Sequence, residues 1–128
     1  MCSIVLKIPQ QENMRNYNFV RTQEFEKELK NLSKKWRSLF EDLVKMEKIL
    51  RQYPTGSGIN FSILTVCGDV KIVKARVPCK SLRERSIRVI YAYHNNTFTF
   101  VHLEIYFKGH KQNEDRSRIE EYLKLITK

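Results

Sequence analysis

The most regular pattern in the chain runs from Phe25 to Leu50. Phe25, Leu29, Leu32, Trp36, Leu39, Leu43, Met46 and Leu50 are spaced four and three apart without a slip, and Lys and Glu crowd the positions between. Such a stripe predicts amphipathic helix. Read without a break it makes one long helix or coiled-coil strand. Read with a fold-back at Asn31-Leu32-Ser33-Lys34-Lys35 it makes a two-helix hairpin, and periodicity alone leaves both open. Thr22 is placed to cap the start, with Glu24 and Glu26 in the first turn, where acidic side chains meet the positive helix end. Tyr53-Pro54-Thr55-Gly56-Ser57-Gly58 ends the helical region.

On either side the period drops to two. Tyr17-Asn18-Phe19-Val20 alternates and predicts a first strand. Val70 to Val77 predicts another, with Val73, Ala75 and Val77 on one face and Ile72, Lys74 and Arg76 on the other. Pro78 to Arg85 reads as a loop, because Pro78 cannot donate to a ladder and polar residues follow. Ile87 to His94 and Thr97 to Phe107 are rich in β-branched and aromatic residues and predict two more strands. Asn95-Asn96 suits a tight turn between them, since Asn tolerates positive φ. Gly109 breaks the pattern, and Glu114 to Ile126 predicts a closing helix through Ile119, Tyr122, Leu123 and Ile126. The order is that of an α+β fold. Residues 1–16 read as an N-terminal extension, and residues 17–128 as a single domain.

Composition narrows the class. With 128 residues, 41% hydrophobic, and only 4 Gly and 3 Pro, the chain can bury a core and is not of disordered type. No apolar run approaches the ~18 residues of a membrane span. The opening Met1-Cys2-Ser3-Ile4-Val5-Leu6-Lys7-Ile8 is too short for a signal-peptide core, so a cytoplasmic protein without membrane contact is expected. Cys2, Cys67 and Cys79 are odd in number and lack CxxC spacing, and His94, His102 and His110 are scattered. Neither a disulfide framework nor a zinc site follows, and no cofactor or metal is expected.

Charge changes the picture most. Lys and Arg number 24 against 14 Asp and Glu, a formal +10, which favours a polyanionic partner. Lys71, Lys74, Arg76, Lys80, Arg83, Arg85 and Arg88 fall in one stretch that holds the single anion Glu84, and Lys108, His110 and Lys111 follow the last strand. Lys74 and Arg76 share a strand face, and Arg88 lies on the neighbouring strand. Such positions are about 5–8 Å apart, close enough to grip one phosphate. Tyr91 and Tyr93 alternate with Ile87 and Val89 and read as core. There is no GxGxxG, P-loop or G-x-S-x-G motif, and Gly56-Ser57-Gly58 follows a helix, so it reads as a helix stop. No carboxylate pair stands out. Catalysis here would rest on cations and His110, which is equally placed to be an exposed turn residue.

In this order the segments resemble the RelE/ParE superfamily of toxin–antitoxin toxins. The resemblance spans Asn18 to Leu125 and rests on Phe25-Glu26-Lys27-Glu28-Leu29-Lys30-Asn31-Leu32-Ser33-Lys34-Lys35-Trp36, on Leu50-Arg51-Gln52-Tyr53-Pro54-Thr55-Gly56 and on Lys71-Ile72-Val73-Lys74-Ala75-Arg76-Val77. Ile87-Arg88-Val89-Ile90-Tyr91-Ala92-Tyr93 and Ile105-Tyr106-Phe107-Lys108 complete it. It implies a RelE-like fold: an N-terminal strand, a two-helix hairpin breaking near Ser33 to Trp36, a curved antiparallel sheet and a C-terminal helix. It also implies a metal-independent endoribonuclease (an mRNA interferase) that cuts mRNA on the ribosome by attack of the 2′-hydroxyl, and a cognate antitoxin as partner. Carried over by position, Lys74, Arg76, Arg88 and His110 are the catalytic candidates. Arg76 and Arg88 would stabilise the phosphorane, Lys74 would act as base and His110 would protonate the 5′-oxygen. Lys71, Lys80, Arg83, Arg85, Lys108 and Lys111 would hold backbone phosphates. The long loop at 78–86, the N-terminal extension and the lack of a carboxylate in the strand patch depart from the smallest members. The alternatives are a ParE-like inhibitor of DNA gyrase, or an inactive member that only binds nucleic acid.

Overall fold

The computed structural model describes residues 16–56, 58–83 and 86–127. The expected N-terminal extension (but for Asn16), and with it Cys2, lies outside the described residues, as do Glu84 and Arg85. Strand β1 (Asn18–Arg21) leads into helix α1 (Gln23–Lys35) and helix α2 (Leu39–Gln52). Strands β2 (Phe61–Cys67), β3 (Val70–Pro78), β4 (Ser86–His94) and β5 (Thr99–Phe107) follow, and helix α3 (Arg116–Ile126) closes the chain. The sheet order is β1-β5-β4-β3-β2. Four strands are antiparallel neighbours, but β1 joins β5 in parallel, so the sheet is mixed rather than purely antiparallel.

The long apolar stripe is a hairpin. Thr22 caps α1, its hydroxyl accepting from the Phe25 N–H at 3.2 Å. At Trp36 the backbone turns extended, and the chain restarts as α2 at Leu39. The Ser38 side chain does not cap α2. Its hydroxyl donates to Asp42 at 2.8 Å and accepts from the Ser81 N–H at 2.8 Å, while the Ser38 N–H donates to the Ser81 hydroxyl. Buried Asp42 also accepts from the Lys80 N–H, which ties the hairpin to the 3-10 turn Lys80–Leu82 after β3. This single turn interrupts what the sequence reads as an unstructured loop.

Period-two alternation then separates two cores. Val73, Ala75, Val77, Ile87, Val89, Tyr91, Tyr93 and Ile105 face the hairpin, packing with Phe25, Leu29, Leu39, Leu43 and Leu50. Tyr91 and Tyr93 are core residues, as their spacing predicts. His102 is fully buried in this layer, 2.9 Å from Glu47 on α2. Val70, Ile72, Ile90, Ala92, Leu103 and Tyr106 face the other way and receive α3 through Ile119. Glu28 of α1 and Arg118 of α3 close the gap at the β5 edge beyond β1. Two 3.0 Å hydrogen bonds join them, Glu28 accepts from the Ile105 N–H, and Arg118 donates to the Leu103 carbonyl. An open edge that would offer unpaired backbone groups is thereby satisfied by side chains.

Several elements differ from the sequence reading. Strand β2 was not predicted. The turn after β4 runs through Phe98, which carries the positive φ of 50° in place of an Asn, so β5 begins at Thr99. Helix α3 begins at Arg116, because the Asp115 carboxylate accepts from the Arg118 N–H and caps it. Among the described residues no helix is long and apolar enough to cross a membrane.

Candidate functional site

The register of the sheet places the strand cations. Arg76 on β3 lies directly opposite Arg88 on β4, and Arg88 directly opposite Tyr106 on β5. One step along, Lys74 lies opposite Ile90, and Ile90 opposite Glu104. These side chains share the face that carries α3. The helix packs toward Ile72, Ala92 and His94, with Tyr122 in hydrogen-bond contact with the His94 ring. The Arg76–Arg88–Tyr106 row is at the other end of the strands. Arg76 is exposed, whereas Arg88 is 8% and Tyr106 5% exposed.

Electrostatics gives this row its character. Burial, followed by the neighbouring Arg76 charge, lowers the Arg88 pKa from its ordinary value, and Tyr106 opposes them. Side chains directly opposite on antiparallel strands start about 5 Å apart, so two guanidiniums there repel unless an anion lies between them. Arg plus Arg is a fork suited to phosphate oxygens.

Two carboxylates that the sequence reading did not find also belong to the site. Glu104 is 1% exposed and Glu114 8%. Glu114 Oε1 accepts from Lys74 Nζ at 3.0 Å, and its Oε2 faces Arg116 at 3.4 Å. Glu104 Oε2 accepts from Lys111, and its Oε1 accepts from the Asp115 N–H at 2.8 Å. Burial pushes the Glu114 carboxyl up, but its own backbone hydrogen bond, Lys74 and Arg116 outweigh it and hold the group below its usual value. The expectation of a patch without carboxylates is therefore corrected. Glu104 is the one acidic residue in β5, but alternation groups it with Phe100 and His102 on the hairpin side. Only the register shift between Ile90 and Tyr91 turns it toward the α3 face. Glu114 left no mark in the pattern either.

Tyr106 sits among these charges. Its ring centre is 5.6 Å from Lys111 Nζ. Its hydroxyl has no hydrogen-bond partner among the described residues, an arrangement that costs about 1–3 kcal/mol in a buried site. Burial, then Glu114 and Glu104, push its pKa up to about 12 against the opposing pull of Arg88.

The remaining sequence candidates are dispersed. His110 is exposed, and its ring packs on Trp36 (centroids 5.8 Å apart) and Phe107 (5.1 Å), side chains of the hairpin layer. Lys71 lies opposite Tyr93, on the face away from Lys74 and toward the far end of β3. Lys80, Arg83 and Lys108 are exposed at the end of the sheet where the row lies. Lys111 is paired with Glu104. A cavity of about 300 Å³ opens between α2 and the β2–β3 edge, with Arg76, Lys80, Phe61 and Met46 among its walls.

No protein-family model matches the chain, and no curated protein matches it in sequence. Among solved structures it is similar to one described as an archaeal RelE–RelB complex from Pyrococcus horikoshii OT3. The match covers 74% of this chain and 98% of that one, at a TM-score of 0.58 and 18% identity. The chain thus has a RelE-like fold, as the order of the segments implied.

Proposed function

We propose that this chain is the toxin of a toxin–antitoxin pair and acts as a ribosome-associated endoribonuclease on mRNA. The observation that carries the reading is the facing pair Arg76 and Arg88, one exposed and one buried, at an accessible end of a RelE-like sheet. A phosphodiester seated there would take hydrogen bonds from both guanidiniums. Their charge would grow in value as the phosphorane gains negative charge.

In the reaction, the ribose 2′-oxygen forms a bond to phosphorus as the bond to the 5′-oxygen breaks, leaving a 2′,3′-cyclic phosphate and a 5′-hydroxyl. The sequence reading gave the base role to Lys74. With Lys74 donating to Glu114, the lysine would supply charge and the ionised Glu114 carboxylate would take the 2′-hydroxyl proton. His110 remains the candidate donor to the departing 5′-oxygen, although its ring packs on Trp36 and Phe107 of the hairpin layer. Lys80, Arg83 and Lys108 extend the phosphate track, and an acidic antitoxin segment is the partner that would cover it. The RelB component of the similar archaeal structure supports such a partner.

Mapping mRNA ends in translating extracts tests this. The wild type is expected to generate new ends bearing a 2′,3′-cyclic phosphate, and Lys74→Ala/Arg88→Ala to generate none. Unchanged cleavage by the double variant would remove the site. A second reading has one observation in its favour: Lys74 and Lys111 are already neutralised by Glu114 and Glu104. That favours a binding protein on the same fold, of ParE-like or inactive type, which would bind its target with no cleavage by the wild type.

A further inference from the structure

We propose that the Tyr106 hydroxyl is a third donor in the oxyanion site, giving its hydrogen bond to a non-bridging oxygen of the phosphoryl group held by Arg76 and Arg88. The inference rests on the phosphate-cleaving reading and adds a residue that neither charge nor family resemblance picks out. Register puts Tyr106 in the same row as the two arginines, one strand beyond Arg88. The residue is 5% exposed, and its hydroxyl is unpartnered among the described residues.

The carboxylates of Glu114 and Glu104 point their oxygens at other donors: Glu114 Oε1 at Lys74, Glu114 Oε2 at Arg116, Glu104 Oε1 at the Asp115 N–H, and Glu104 Oε2 at Lys111. Among the described residues the phenol makes no hydrogen bond. Raised to about 12, its pKa keeps the proton on at neutral pH, so the group donates and does not act as a base. A neutral donor beside two cations adds direction where guanidiniums add charge. It suits a tetrahedral phosphoryl group, whose non-bridging oxygens splay toward different strands.

Tyr106→Phe removes one oxygen and leaves the ring packing in place. With a ribonucleotide substrate it is expected to lower kcat about 100-fold while KM changes little, as loss of one oxyanion donor does. Replacing one non-bridging oxygen by sulfur, a poor acceptor, should slow the wild type for one diastereomer and leave Tyr106→Phe indifferent to the swap. A purely structural role would not move that sulfur effect. Wild-type cleavage matched by Tyr106→Phe, with the same sulfur effect, would overturn the inference while leaving the proposed function standing. If the wild type cuts nothing, the function fails, and binding decides the inference. Inorganic phosphate and a 2′-O-methyl dinucleotide are titrated separately while the Tyr106 ring carbon next to the hydroxyl is followed by NMR. A saturable shift with either supports the donor, and its occurrence with the dinucleotide alone identifies a diester site. No shift with either overturns it.

Discussion

Arg76 and Arg88 face one another across a single ladder step, yet one is exposed and the other buried, and substitutions should separate their roles. Arg76→Ala removes an exposed charge and is expected to leave the melting temperature within about 2 °C while slowing cleavage about 100-fold, read from initial rates and a thermal melt. Glu114 makes a prediction in pH. Its carboxyl lies below the unfolded value near ~4.3, so the stability it contributes is complete above that value and is lost as pH falls through the lower folded one. Urea titrations between pH 6 and about 2.5 should therefore show a loss that Glu114→Gln flattens. The two arginines were legible, because β alternation assigns faces and adjacent strands bring faces together. Glu114 was not: its partner Lys74 lies forty positions away, and only the path of the loop after β5 brings the two together.

The elements that hold the row were read unevenly. Strand β2 escaped because Phe61-Ser62-Ile63-Leu64-Thr65-Val66-Cys67 does not alternate. A register shift between Ile63 and Thr65 breaks the period, and Ile63 and Val66 face solvent at 50% and 56% exposure. The parallel seating of β1 leaves no trace in a hydrophobic pattern, since period reports faces and not direction. The hairpin was open on periodicity alone, and Ser38, Asp42 and Ser81 decide it with hydrogen bonds that no heptad contains. At the β5 edge, Arg118 ties α3 to Glu28 and to the Leu103 carbonyl. Arg118→Ala should cost about 1–2 kcal/mol in urea unfolding, discounted for the partial exposure of the pair. Because α3 follows directly on Glu114, the same variant should also weaken cleavage more than binding.

Across the whole molecule, the order of segments was enough to reach a RelE-like fold at 18% identity, because topology depends on where apolar faces fall and not on which apolar residues fill them. The +10 charge gives a salt signature. Replacing Lys80, Arg83 and Lys108 together by Ala should weaken binding to single-stranded RNA and lower the slope of log K against log salt by about 0.7 for each phosphate no longer neutralised, with no change in the melt. The proposed function requires Arg76 and Arg88 to hold one phosphate between them. Following the arginine Nε–H signals by NMR during titration with RNA blocked at the 2′-oxygen tests this most directly. Arg76 and Arg88 should shift together and saturate at one midpoint while Arg21, on the far edge strand, stays still. Binding that leaves both signals unmoved, or moves them at different midpoints, would contradict it.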